Sequence, residues 1–150
     1  MESVENAIRA MVHRSYFEED KNCACTTLMI LSKLFETKVE EQTMQAAVGL
    51  HGAGGYRAQC GLVEGTLLFL GVCFVPREGE RRAVELCRCF AEAFEREFSS
   101  LRCYELRPGG FREDDPPHAC EELTARAVIF AYRFVEAALK ETEESKKEEV

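Results

Sequence analysis

The residues with most chemistry to offer are eight cysteines, Cys23, Cys25, Cys60, Cys73, Cys87, Cys89, Cys103 and Cys120. A thiolate attacks disulfides and binds soft metals, so position and spacing decide which chemistry is open. No two of them are spaced C-x-x-C, which removes the thioredoxin-type active site and the usual zinc knuckle. Cys23 follows Asn22, a good helix cap, Cys60 lies between a glycine-rich segment and a long apolar run, and Cys120 lies where the last helix begins. Helix N-termini present a positive dipole end and free N–H groups, which favour thiolate over thiol. Cys103, in the loop upstream of Cys120, completes a candidate set of four. Within it Cys60 is the expected attacking thiolate, because the glycine loop leaves N–H groups free and Arg57 adds positive charge. Cys25, Cys73 and Cys87 fall on apolar helix faces, where a free cysteine packs as a small hydrophobe. Cys89 points about 200° around the helix from Cys87 and belongs to neither group.

Helices must position these thiols. Ser3 to Phe17 carries apolar residues at helical spacing behind Ser3 as a possible cap, and Asn22 caps a second helix running to Phe35. A shorter helix follows over Glu40 to Leu50. His51 to Gln59 contains three glycines in five residues and discourages regular structure. Cys60 leads the most apolar helix, expected to end near Val75 and Pro76, and Gly79 to Phe98 forms another, with Ala83, Cys87, Phe90, Phe94 and Phe98 on one stripe. Ser99 to Ala119, which includes Pro108, Gly109 and Gly110, is an irregular crossover, and Asp115 with Pro116 signals the start of the last helix. The expected fold is an all-α, single-domain bundle of five to six helices. Its boundaries are residues 1–140, followed by a charged, disordered tail at 141–150.

Composition narrows the function. The net charge of −8 disfavours a phosphate-backbone ligand, and the one basic cluster, Arg77, Arg81 and Arg82, is interleaved with glutamates. No nucleic-acid partner and no membrane insertion are expected, since the longest apolar stretch, Leu62 to Val75, is shorter than the roughly 20 residues that span a bilayer. The first residues carry charges where a secretory signal needs an apolar run, so a cytoplasmic location is expected. His13, His51 and His118 show no paired metal-binding spacing. His51 and His118 each precede a candidate cysteine by a short interval and fit either a base or ligand role or that of ordinary loop histidines.

The order Asn22-Cys23-Ala24, a glycine-rich loop, Cys60-Gly61-x-x-x-Gly65, Cys103-x-Glu105-Leu106 and Cys120 resembles the C_GCAxxG_C_C redox-active proteins. The resemblance spans Asp20 to Leu139, with one departure, Leu62 where the family has alanine. It implies that Cys23, Cys60, Cys103 and Cys120 are the functional cysteines. Three functions fit. The leading one is thiol/disulfide or electron-transfer chemistry with a redox partner, either a protein or a small thiol. The second is an iron–sulfur cluster or other metal held by the same four thiolates, and the third a helical interaction module with structural cysteines. A cofactor, where one is held, is expected against Gly54, Gly55, Gly61 and Gly65 beside Cys60.

Overall fold

The computed structural model describes residues 2–107 and 109–150; Met1 and Pro108 lie outside the described residues. The chain is helical, with no β-strand among the described residues. Seven helices follow in order: α1 (Glu2–Phe17), α2 (Cys23–Leu34), α3 (Glu41–Ala46), α4 (Gly61–Glu78), α5 (Glu80–Phe98), α6 (Cys103–Leu106) and α7 (Glu121–Glu148). The expected five or six are exceeded because the crossover holds the single turn of α6. Between α3 and α4 lie a 3-10 turn, Ala47–Gly49, and a tight turn, Gly52–Gly55, in which Ala53 and Gly54 are left-handed.

Local chemistry explains most of the helix boundaries. Asn22 caps α2, its side-chain oxygen accepting the Cys25 N–H at 3.0 Å, as its residue type predicts. Ser3 does not cap α1, which begins one residue earlier and takes Ser3 inside it. Proline does not stop α4 at Pro76. The helix continues to Glu78, Arg77 folds back to donate to the Cys73 carbonyl at 2.6 Å, and Gly79, at φ +89°, makes the break. The last helix opens later than Asp115 and Pro116 signal. Asp115 spends its carboxylate on the Arg107 guanidinium at 3.0 Å and the Arg112 N–H at 2.9 Å, and His118 turns the chain at φ +57°. The N-cap position of α7 therefore belongs to Cys120, whose carbonyl accepts the Thr124 N–H at 2.8 Å. At its other end α7 runs to Glu148, past the boundary expected at residue 140. Thr142 is buried there, and Arg82 reaches Glu141 at 3.1 Å while also pairing with Glu78 and Glu85.

Two apolar clusters hold the helices together. The larger joins α2, α4, α5 and α7 around Phe69, Phe74, Phe90 and Phe94. On α5 and α7 the rings of Phe90, Phe94, Phe98, Phe130 and Phe134 meet at centroid distances of 4.5–6.3 Å, the offset and edge contacts that aromatic quadrupoles favour. The smaller cluster seats Ile8, Val12 and Tyr16 of α1 against Ile30, Val128 and Ile129. Cys25 and Cys73 are buried core residues and Cys87 is half-buried with its sulfur 3.8 Å from the Leu67 carbonyl oxygen.

Helix α2 packs closely on α4, and two glycines permit it. A methyl group at Gly61 would overlap Cys23 Sγ and lie 2.9 Å from Ala24 N; at Gly65 it would lie 2.6 Å from the Ala24 carbonyl oxygen and 2.9 Å from Thr27 Cβ. Gly71, on the same helix, has open space where its Cβ would be. Opposite effects are therefore expected from the same substitution. Gly65→Ala should destabilise by roughly 1–3 kcal/mol through overpacking, against backbone atoms that cannot yield. Gly71→Ala should stabilise by about 0.5–1 kcal/mol. Denaturant unfolding of the two variants checks this; equal effects at both positions would contradict the close approach.

Candidate functional site

The four candidate cysteines come from four different elements and meet at one end of the bundle. Cys23 opens α2, Cys60 precedes α4, Cys103 opens α6 and Cys120 precedes α7. Backbone pairing ties two of them together. Cys60 N–H donates to the Leu101 carbonyl and Cys103 N–H to the Ala58 carbonyl, each at 2.8 Å, on either side of an isolated antiparallel bridge between Gln59 and Arg102. The Gly61 contact brings Cys23 beneath the start of α4. Cys23, Cys103 and Cys120 line a cavity of about 330 Å³, and Cys60 lies buried within electrostatic reach of all three.

Burial and helix dipole oppose each other here, and burial wins. Desolvation pushes the Cys60 thiol up to about 12, with the Cys23 sulfur adding to the rise; the Leu62 N–H aimed at the sulfur offsets only part of it. Desolvation likewise pushes Cys23 up to about 12, reinforced by Cys103 and Cys120. Cys60 is thus in the position the sequence predicts but is not the exposed, activated thiolate expected of it. With 4 % of its surface exposed, it is a buried thiol. Cys103 and Cys120, like Cys23, are half-buried. Burial raises both, but Arg107 and Arg57 pull Cys103 down, and Arg107 pulls Cys120 down by charge and by hydrogen bonding. The charge of Arg57, expected to act on Cys60, acts on Cys103.

The arginines are held by an aromatic plate. The Arg57 guanidinium lies 3.9 Å and that of Arg107 4.6 Å from the Phe111 ring centroid, within the range of cation–π attraction. Arg107 is fixed further by Asp115 at 3.0 Å. Across the cavity Tyr16 is buried, its hydroxyl 2.6 Å from Thr124 Oγ1, and burial raises its phenol far above the ordinary range. It forms a neutral wall. His118 stacks on Tyr16 at 4.8 Å and places Nε2 3.1 Å from Asp20 Oδ1. His51 Nδ1 lies 2.9 Å from the Val48 carbonyl oxygen and 3.2 Å from Asn22 Nδ2. Both histidines line the cavity, tied to positioning contacts.

A family model, "Putative redox-active protein (C_GCAxxG_C_C)", matches residues 21–134, most of the chain and all four of these cysteines. The chain belongs to the C_GCAxxG_C_C family. No curated protein and no solved structure matches it. The glycines of the family motif have a structural role here. Gly61 and Gly65 are filled against by Cys23, Ala24 and Thr27, so they seat α2 and leave no cradle for a cofactor. Gly54 and Gly55 are left-handed with open space beside them, and only Gly55 borders the cavity. Among the described residues no three Cys, His, Asp or Glu side chains are grouped to hold a metal ion. Missing from any local sequence pattern are the pairing of residues 57–60 with 101–104 and the Arg57–Phe111–Arg107 stack.

Alkylation should follow the ease of ionisation. In the reduced protein near neutral pH, Cys103 and Cys120 should react with iodoacetamide before Cys60 and Cys23. Labelling of Cys60 should keep accelerating past pH 9, since its thiol is still mostly protonated there. Timed peptide mass analysis checks both; Cys60 reacting first, with a rate that levels off near neutral pH, would show that dipole outweighs burial.

Proposed function

We propose that this protein is a thiol–disulfide exchange protein in which Cys103 and Cys120 are the exchanging pair. One observation carries this reading: of the three half-buried thiols that line the cavity, Cys103 and Cys120 are the two on which arginine charge acts, offsetting part of the rise that burial causes, whereas Cys23 and the buried Cys60 are pushed up to about 12. Exchange needs a thiolate that meets its partner and a second thiol near enough to resolve the mixed disulfide. Cys103, flanked by Arg57 and Arg107, attacks; Cys120 resolves. Cys23 and Cys60, both pushed up to about 12, stay protonated at neutral pH and form a reserve of thiols kept unreactive by their protonation. Family membership supports a redox role in general and leaves the reaction to be read from these positions.

Thiol counting tests the assignment. The reduced protein should show eight thiols in denaturant and lose two on equilibration with a mild disulfide oxidant, recovering them with dithiothreitol. Cys103→Ser and Cys120→Ser should each abolish the reversible loss, and Cys73→Ser should leave it intact. Loss that persists in both Cys103→Ser and Cys120→Ser would refute the pair. Stoichiometric iron or zinc in anaerobically purified protein, lost in both variants, would favour a metal centre instead.

A further inference from the structure

The cavity that holds the exchanging thiols also carries a charge without a counter-charge. The other lysine and arginine on its wall each have a carboxylate: Lys21 meets Glu19 at 3.1 Å and Arg107 meets Asp115 at 3.0 Å. Arg57 has none among the described residues. Its guanidinium is exposed and parked 3.9 Å over the Phe111 ring, and the arginine borders the same cavity as Cys103. In a chain of net charge −8, an arginine free of carboxylates beside a reactive thiol is set for a ligand's anion, to which guanidinium donates two parallel hydrogen bonds. The volume of about 330 Å³ lies at the low end for small-molecule sites. It suits a small molecule better than a folded protein's disulfide, which would have to reach recessed sulfurs.

We propose that the cavity takes a small disulfide bearing a carboxylate, with Arg57 binding the carboxylate and Cys103 receiving the disulfide. This rests on the exchange reading above and adds the class of substrate. Cys103 thiolate attacks one sulfur of the bound disulfide; the S–S bond breaks, and the departing sulfur leaves with the electron pair as a thiolate that takes a proton from water. Cys120, having given its proton to water, then attacks Cys103 Sγ and expels the second small thiolate. The two protein thiols are oxidised to one disulfide by two electrons, and the small disulfide is reduced to two thiols.

Three disulfides of different charge test this on the full-length reduced protein: glutathione disulfide, which is anionic, hydroxyethyl disulfide, which is neutral, and cystamine, which is cationic. Second-order rates of thiol loss, read by quenched mass analysis, should rank in that order. In Arg57→Gln the ratio of the glutathione disulfide rate to the hydroxyethyl disulfide rate should fall about tenfold, the effect of one charge-assisted contact. Arg57→Lys should restore most of it. Taking the ratio cancels any effect of Arg57 on the reactivity of Cys103 itself. Equal rates for the three disulfides in the unmodified protein, or an unchanged ratio in Arg57→Gln, would overturn the substrate assignment while leaving the exchange reading in place. Failure of all three to produce an internal disulfide would overturn the exchange reading, and the substrate assignment with it.

Discussion

The seating of α2 on α4 through Gly61 and Gly65 is the constraint on which the thiol site depends. Backbone reaches backbone there: Cys23 Sγ occupies the space a side chain at position 61 would take, and the Ala24 carbonyl occupies that at position 65. The contact places the N-terminus of α2 beside that of α4 and so brings Cys23 to Cys60. The other two cysteines are added by different means. Cys103 is carried in by the pairing of its strand-like approach with residues 58–60, and Cys120 by the left-handed turn at His118 that sets where α7 opens. Each cysteine is at or next to the start of a helix. Several dipole ends therefore converge on one small volume.

Convergence has a cost that decides the chemistry. A dipole end favours thiolate, but packing helices closely enough to join the ends removes water, and desolvation favours the neutral thiol more strongly. Neighbouring thiolates repel as well, so each sulfur added to the cluster makes the next ionisation harder. Relief comes only where arginine charge acts, on Cys103 and Cys120. Arg107 is braced by Asp115 on one side and by Phe111 on the other, which holds a cation against Cys120. The proposed division of four thiols into two that exchange and two held in reserve follows from where the guanidinium groups lie. Helix N-termini alone would treat Cys23, Cys60 and Cys120 alike.

Features that depend on neighbours in sequence were legible. The Asn22 cap acts within one turn. Gly61 and Gly65, expected beside a cofactor, instead seat α2, because the helix that fills against them comes from a distant segment. The core stripe of α5 is read from period alone. The positions of the four cysteines at helix starts and loop were legible for the same reason. Reactivity was not, because burial is set by contacts between segments far apart. The residues that join Cys60 to Cys103 are separated by the whole of α4 and α5 and pair through backbone groups that every residue type carries, so no side-chain pattern announces them. Asp115 misled because its carboxylate has two uses. Local rules assign it to a helix N-terminus, and the fold assigns it to Arg107, a partner supplied by the loop. Arg57 misled in the same way: near Cys60 in sequence, it acts on Cys103 in space.

The central claim is that desolvation and arginine charge together sort the clustered thiols into an exchanging pair and a protonated pair. Peptide mapping of the disulfide formed under mild oxidation, with free thiols blocked before proteolysis, tests it most directly. A single linkage between the Cys103 and Cys120 peptides, with Cys23 and Cys60 recovered as blocked thiols, is the predicted result; a linkage between Cys23 and Cys60, or one that involves Cys25, Cys73 or Cys87, would contradict it.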